Sequence, residues 1–213
     1  MSAHPGSVGA MSGTWVVFEG GDGVGKTTQI DRLAQWLRDR VPHVVVTREP
    51  GGTELGRDLR LAVMHGDHVA PRAEALLYAA DRAHHIYKLV RPALDLGAVV
   101  LQDRYLDSSI VYQGGARGLG DEVERISMWA TEDALPDLTI VLDMAADAAR
   151  MGRALDRVER ETAEHAALIR EGFLALAARA PERYAVIDAA RSVDEVFDDV
   201  VAAVERVVTW TAQ

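Results

Sequence analysis

Nine residues near the start of the chain combine glycine, lysine and threonine at a spacing that suits phosphate binding. The segment GGDGVGKT satisfies G-x-x-x-x-G-K-[ST]. Glycines let backbone N–H groups surround phosphate oxygens, and a helix that starts here points its positive end at the same anion. Lys26 can reach the β- and γ-phosphates, and the Thr27 hydroxyl can ligate Mg²⁺. The predicted phosphate-binding loop comprises Gly20, Gly21, Asp22, Gly23, Val24, Gly25, Lys26, Thr27 and Thr28.

The lysine of this loop is unusual in the chain. Lys26 and Lys88 are the only lysines among 23 basic residues. A glycine-rich turn with an incidental lysine is the alternative interpretation, and the position of so rare a residue argues against it.

A second candidate site follows a predicted buried strand, where Asp103 and Arg104 occur in sequence. The aspartate can hold Mg²⁺ through water, and the arginine can bind a phosphate with two hydrogen bonds. The alternative is a surface ion pair. Neither a guanine-binding N-K-x-D motif nor the Asp-Glu or Asp-x-x-Gly of hydrolytic enzymes occurs in the expected context.

Hydrophobic patterning predicts an α/β fold with five parallel strands flanked by helices on both faces. The phosphate-binding loop between a strand and a helix indicates that this is a P-loop NTPase fold. The predicted strands are 14–18, 44–47, 97–102, 138–142 and 184–187. Helices are predicted at 54–64 and 71–90 and within 107–135 and 146–180, and the last helix opens with Ser192 and Glu195 as a capping box. We expect one domain over 13–213 after a flexible tail at 1–12.

Composition limits the class of protein. The 213 residues are 48% hydrophobic and 26% charged, cysteine is absent, and the formal net charge is −10. These values argue against disorder, a disulfide scaffold, and general binding to nucleic-acid polymers or membrane surfaces. No apolar run approaches the roughly 18 residues that a membrane span needs, and a reducing cytoplasm is permissible.

An ordered series of motifs along the chain resembles the thymidylate kinase family, bacterial type. The series extends over nearly all of the chain from residue 14, and the phosphate loop is its only generic part. Besides residues 18–29 it comprises TREPGGT (47–53), YAADR (78–82), DRYLDSSIVYQ (103–113), GGARG (114–118), LDRVE (155–159) and VIDA (186–189). The resemblance implies transfer of the ATP γ-phosphoryl group to dTMP to give dTDP for dTTP biosynthesis, with Mg²⁺, in a cytoplasmic homodimer.

The resemblance also assigns a nucleobase site on the long helix. Tyr78 and Arg82, four residues apart, share one face, where the aromatic ring would stack on thymine and the arginine would bind its O4. The opposite, apolar stripe is expected to face the core, so that the pair points away from it. That stripe comprises Ala73, Leu76, Leu77, Ala80, Tyr87 and Val90. An ordinary amphipathic helix surface is the alternative.

Further dTMP-binding residues follow from the same resemblance. Gln113 can donate and accept at once, which matches thymine N3–H and a neighbouring carbonyl, and Tyr112 would crowd the sugar C2′ position. Ordinary polar residues on a helix surface are the alternative. The remaining assignments are Ser109 near the base, Arg60, Arg104 and Glu49 at the dTMP phosphate, and Asp22 near the 3′-hydroxyl and the metal.

A lid is predicted at about 147–161. Arg150, Arg153, Arg157 and Arg160 would form one stripe on a continuous helix and could neutralise the transferring phosphoryl group. Because Gly23 stands where some family members carry a loop arginine, the resemblance assigns that role to the lid, to Arg153. A self-neutralised helix is the alternative. Arg150 or Arg191 would stack on adenine.

Two other classes remain open from the sequence. A kinase for another monophosphate or a hydroxylated metabolite would keep Lys26 and Thr27 without needing Tyr78, Arg82 or Gln113. A nucleotide-switch or partner-binding ATPase would hydrolyse ATP slowly and ignore dTMP.

Overall fold

A computed structural model describes residues 13–65, 69–145 and 165–208. In this part of the chain five parallel strands form one sheet in the order β2-β3-β1-β4-β5. The strands are β1 (Thr14–Glu19), β2 (Val44–Arg48), β3 (Val99–Asp103), β4 (Leu138–Asp143) and β5 (Tyr184–Asp188). Both β2 and β1 pair with β3, so the sequence-adjacent strands β1 and β2 are not neighbours in the sheet. The predicted five-stranded parallel sheet is confirmed.

Helices connect the strands. They are α1 (Lys26–Arg38), α2 (Glu54–His65), α3 (Pro71–His85), α4 (Arg91–Asp95), α5 (Leu106–Ser109), α6 (Glu122–Thr131), α7 (Ala166–Arg179) and α8 (Val193–Val204). Two π-helical segments, Ile86–Val90 and Ile110–Ala116, join α3 to α4 and extend α5. None of the helices in the described ranges is long and apolar enough to cross a membrane.

Strand β1 is buried on both faces, as a central parallel strand should be. Val16 and Phe18 pack into a cluster with α1 and α8, whereas Trp15 and Val17 pack into a second cluster with the α3–α4 segment. All four side chains are at most 1% exposed. The sheet is therefore covered on both sides, as the sequence pattern predicts.

Helix α3 is oriented differently from its prediction. Leu76 is 55% exposed and Tyr87 70%, and of the predicted apolar stripe only Val90 is buried among the core residues. The buried face instead carries Glu74, Ala75, Ala79, Asp81, Arg82 and His85. A polar face can be buried when its charges are paired and hydrogen-bonded, and this face meets such partners on neighbouring elements.

The start of α8 agrees with its prediction. The Ser192 hydroxyl accepts a hydrogen bond from the Glu195 backbone N–H at 3.3 Å, and the Glu195 carboxylate accepts from the Ser192 N–H at 3.0 Å. The predicted tail at 1–12 and the predicted lid at 147–161, with Arg150, Arg153 and Arg157, lie outside the described residues.

Candidate active site

The phosphate loop connects the carboxyl end of β1 to the start of α1. Gly20 has a φ of +131°, and a Cβ there would lie 2.5 Å from the Leu142 carbonyl oxygen, so glycine is required. The Lys26 Nζ donates to the carbonyl oxygens of Gly20 and Gly21, at 3.1 and 2.7 Å. Thr27 and Thr28 are exposed beside it. The loop therefore has the strand–turn–helix context that phosphate-binding loops require.

Lys26 is buried at the base of this loop. Burial, together with the nearby positive charge of Arg104, lowers its pKa to about 8. Asp103 and Asp22 act in the opposite direction. A cation that is short of solvation here is well placed to gain from an incoming phosphate.

Arg104 leaves the end of β3 in a left-handed backbone conformation, with φ 68°. Its N–H donates to the Phe18 carbonyl at 2.9 Å, which holds it beside the phosphate loop. The guanidinium donates to the Asp22 carboxylate at 2.5 Å and to the Ser108 hydroxyl at 2.9 Å. Arg104 and Asp22, which are more than 80 positions apart in the sequence, are thus in contact. The predicted phosphate-binding arginine therefore lies next to the loop.

Glu19 organises the other side of the same turn. Its carboxylate accepts hydrogen bonds from the Tyr105 and Ser108 backbone N–H groups, at 2.8 and 3.1 Å, and from the Ser108 hydroxyl at 2.7 Å. The sequence analysis did not single out this residue. Its position at the last residue of β1, where strand ends face a ligand crevice, was the available signal.

The donor set at this end suits Mg²⁺. Asp103 Oδ1 is buried and has no hydrogen-bond partner, and the side chain lines the cavity together with Thr27. No group of three or more His, Cys, Asp or Glu side chains in the described residues could hold a metal ion. Mg²⁺ commonly binds through one or two protein oxygens plus water and substrate phosphates, so few protein ligands are needed.

A cavity of about 420 Å³ extends from the phosphate loop to helix α3. Its lining includes most of the residues that the sequence analysis assigned to the two nucleotides. Those residues are Asp22, Gly23, Gly25, Lys26, Thr27, Thr28, Glu49, Arg60, Tyr78, Arg82, Asp103, Arg104, Ser109, Tyr112 and Gln113. The structure thus gathers side chains from the ends of β1, β2 and β3 and from helices around one space of a size typical of ligand sites.

Arg82 lies in the wall of this cavity and is buried, whereas the sequence analysis expected it to point away from the core. The residue is 2% exposed. Its Nε donates to Glu49 at 2.9 Å, and the remaining contacts are with Ser127 Oγ, the Tyr105 carbonyl oxygen and Ser109 Oγ. These four hydrogen bonds leave one Nη1 N–H of the five that a guanidinium carries.

Glu49 connects Arg82 to a buried histidine. The second Glu49 oxygen lies 2.8 Å from His85 Nδ1, and His85 Nε2 lies 2.7 Å from Thr47 Oγ1. Asp81 lies in the same region with both carboxylate oxygens buried, and burial together with the Glu49 charge raises its pKa to about 6. Glu49 therefore holds the wall of the cavity together, which the sequence analysis did not anticipate when it assigned this residue to the dTMP phosphate.

Tyr112 forms the edge between the two ends of the cavity. Its hydroxyl lies 3.5 Å from Asp22 Oδ2, and the Arg104 guanidinium sits 5.3 Å from its ring centre. Burial raises the pKa of the hydroxyl, so that it stays protonated and can donate. The side chain lines the cavity and is 7% exposed.

Two predicted arginines take different positions. Arg60 lines the cavity and donates to the Pro50 carbonyl oxygen at 3.2 Å. Arg191 is outside the cavity lining and is bonded to Asp199 and to the Asp188 carbonyl oxygen at the start of α8.

The parallel sheet, the phosphate loop at the end of β1 and the acidic and basic residues at the end of β3 define a P-loop nucleotide-binding protein. This class contains phosphotransferases, hydrolases and switches.

Comparison with known proteins identifies the family. The family model described as thymidylate kinase matches residues 18–200. The chain is 54% identical over 193 residues to the thymidylate kinase of Clavibacter michiganensis subsp. michiganensis, covering 87% of this chain and 92% of that protein. It is 49% identical over 203 residues to that of Bifidobacterium longum subsp. infantis, covering 92% and 87%. The chain belongs to the thymidylate kinase family.

Proposed function

We propose that the protein transfers the γ-phosphoryl group of ATP to dTMP, giving dTDP for dTTP synthesis. The observation that carries this proposal is the single cavity that joins the phosphate loop to Tyr78, Arg82 and Gln113. An aromatic ring and hydrogen-bonding groups suit a nucleobase, and the loop suits a triphosphate. Relatives that are called thymidylate kinases over nearly their whole length support the choice of dTMP.

Catalysis in this proposal is positioning plus electrostatics. Lys26 and Arg104 hold the phosphates from two sides. Asp22 keeps Arg104 in place, and the Asp22 carboxylate also faces the dTMP 3′-hydroxyl. Arg60 binds the dTMP phosphate with Arg104. Because Arg104 is hydrogen-bonded from both ends of its guanidinium, it reaches the phosphate without ordering a flexible side chain.

Mg²⁺ would be held by Thr27 and Asp103. When bound, the ion would neutralise part of the negative charge of the phosphates. The unpaired, buried Asp103 Oδ1 supports this choice of ligand, since such an atom is otherwise costly.

The predicted lid would complete the site from residues 147–161. We propose that Arg153 reaches the transferring phosphoryl group, with Arg150 and Arg157 beside it, and that Arg150 or Arg191 stacks on adenine. Closure would exclude water and limit ATP hydrolysis.

We also propose a homodimer that works in the cytoplasm. The exposed side chains of Leu76 on α3 and of Tyr87 on the π-helical segment that follows it support an association surface. The absence of cysteine is compatible with a reducing compartment.

The function is tested by incubating the protein with Mg-ATP and, separately, dTMP, dUMP, dCMP, dGMP, AMP and UMP, while ADP and nucleoside diphosphates are quantified. We expect strong preference for dTMP. The Lys26→Ala variant should lose at least about a thousandfold in kcat/KM, because a charge that stabilises the transition state is removed.

Near-normal turnover by Lys26→Ala would contradict the assignment of the phosphate loop. ATP binding without phosphorylation of any monophosphate would contradict the proposed acceptor and favour a switch or a metabolite kinase. Lys88→Ala, which removes the chain's other lysine at an exposed position, serves as the control and should retain activity.

A further inference from the structure

Behind the cavity wall, the side chain of Gln113 is hydrogen-bonded to the fully buried carboxylate of Glu74. Gln113 lines the cavity and is 3% exposed, and its Nε2 donates to Glu74 Oε1 at 3.0 Å. Glu74 is 0% exposed and does not itself line the cavity. It therefore can influence a bound ligand only through its neighbours.

Arg117 contacts the same carboxylate. Its Nη2 lies 3.4 Å from Glu74 Oε2, and its Nε lies 3.4 Å from Oε1. The Arg117 N–H groups thus face both oxygens of Glu74, and each of these oxygens is a hydrogen-bond acceptor. The amide of Gln113 must consequently turn its nitrogen toward Glu74, because the flipped amide would place its oxygen against another buried acceptor.

This fixed orientation defines a hydrogen-bonding pattern on the cavity side. One Nε2 N–H is used by Glu74, which leaves the Oε1 acceptor beside the second N–H donor. Thymine and uracil present N3–H next to a carbonyl oxygen, which is the complementary pattern. Cytosine presents an acceptor at N3 next to an amino donor and would need the flipped amide.

We propose that Glu74 is a positioning residue that sets the base selectivity of the site, because it locks Gln113 in the orientation that accepts 4-oxopyrimidines and rejects 4-aminopyrimidines. The inference rests on the proposed function, in which Gln113 faces the base of the acceptor nucleotide. It does not concern the 5-methyl group, so dTMP and dUMP are treated alike by this pair of residues.

The test is Glu74→Gln, an isosteric change to a group that can both donate and accept. Either orientation of Gln113 then keeps a partner. We measure kcat/KM for dTMP, dUMP and dCMP at saturating Mg-ATP, and expect the dTMP-to-dCMP ratio to fall at least about tenfold, the loss typical of one charge-assisted hydrogen bond. The dTMP-to-dUMP ratio and the KM for ATP should stay within about twofold, since neither depends on the amide orientation.

A matched control removes a different carboxylate that pairs with an arginine. Glu124 forms an ion pair with Arg179 at 2.9 Å on the surface. Glu124→Gln should leave both ratios and the KM for ATP unchanged. If Glu74→Gln lowers activity toward all three monophosphates in parallel, or changes nothing, the role of Glu74 is only structural and the proposal is wrong.

A second measurement does not require activity. The side-chain amide of Gln113, assigned in ¹⁵N NMR spectra by comparison with Gln113→Leu, should give two resolved N–H signals in the ligand-free wild-type protein. One of them should be shifted downfield by the carboxylate. An unshifted pair overturns the proposal, even where Glu74→Gln fails to fold. A wild-type protein that phosphorylates none of the three nucleotides contradicts the proposed function instead, and the amide signals then decide about Glu74 on their own.

Discussion

Glu19 is fully buried next to the groups that are proposed to bind phosphate, and it is not itself paired with a basic side chain through a hydrogen bond in the described residues. Burial and repulsion from Asp107 raise its pKa to about 7. Its three hydrogen-bond donors, two backbone N–H groups and the Ser108 hydroxyl, hold the turn that carries Arg104. The Glu19 carboxyl group thus fixes the position of this turn, and its burial lowers the free energy of unfolding.

The cost of this carboxylate should depend on pH. Because the pKa in the folded protein, about 7, lies above the ordinary glutamate value of 4.5, the folded state binds more protons between these pH values. Its free energy of unfolding therefore falls as pH rises through this window. Glu19→Gln keeps an acceptor for the two N–H groups and does not titrate. Its stability relative to wild type should therefore increase by more than about 1 kcal/mol between pH 5 and pH 8, measured by urea unfolding.

The matched comparison is Glu122→Gln, which removes an exposed carboxylate paired with Arg125. Its stability difference from wild type should not follow the same trend. A difference for Glu19→Gln that is constant across this pH range would contradict the buried, high-pKa carboxyl group.

Among the helices, α3 shows what the sequence could and could not predict. Period and length predicted the helix, and the motif predicted that Tyr78 and Arg82 contribute to the cavity. The apolar stripe of Leu76 and Tyr87 was taken for the buried face, since hydrophobic periodicity alone does not distinguish core from an exposed association surface. The polar face is buried because Glu49, Ser127 and Ser109 come from distant segments to pair it.

The same reasoning explains which site residues were missed. Motifs with fixed local spacing, such as the phosphate loop and the Asp103–Arg104 pair, could be found in one sequence. Glu74 and Glu19 act through partners that are 39 or more positions away, and Asp81 is distinguished by its burial. The local sequence pattern contains neither kind of information.

The contact between α2 and α3 is tight at Gly56. A Cβ there would lie 2.2 Å from Asp81 Oδ1 and 3.1 Å from Thr53 Oγ1. Gly56→Ala should displace the buried Asp81 and lower the free energy of unfolding by at least about 2 kcal/mol, measured by chemical denaturation.

Gly115 provides the matched control for this substitution. It lies in the π-helical segment after α5, where a Cβ would be 3.9 Å from the nearest atom, the Ile110 carbonyl oxygen. Gly115→Ala should change stability by less than about 1 kcal/mol and toward higher stability, because alanine favours helix. Equal losses for the two variants would show that backbone conformation, and not the contact with Asp81, limits Gly56.

At the scale of the whole molecule, the structure leads to a prediction about the association of two copies of the chain. The chain carries a formal net charge of −10, so two copies repel each other electrostatically. Stable association therefore requires contacts that outweigh this repulsion. The exposed face of α3 offers such contacts. Exposed apolar residues also occur on neighbouring helices that pack against α3, at Leu61 of α2 and Trp129 of α6.

We expect Leu76→Glu to convert the proposed dimer to a monomer, because it buries a new negative charge in an apolar interface between copies that already repel each other. Light scattering coupled to size-exclusion chromatography measures the mass. Leu168→Glu, at a leucine on α7 that is 48% exposed, should leave the mass unchanged.

Higher salt should strengthen association of the wild-type chain, since it screens the repulsion while the apolar contact is kept. A wild-type protein that is monomeric at all concentrations and salt levels, or a Leu76→Glu variant with the wild-type mass, would show that this face of α3 does not join two copies.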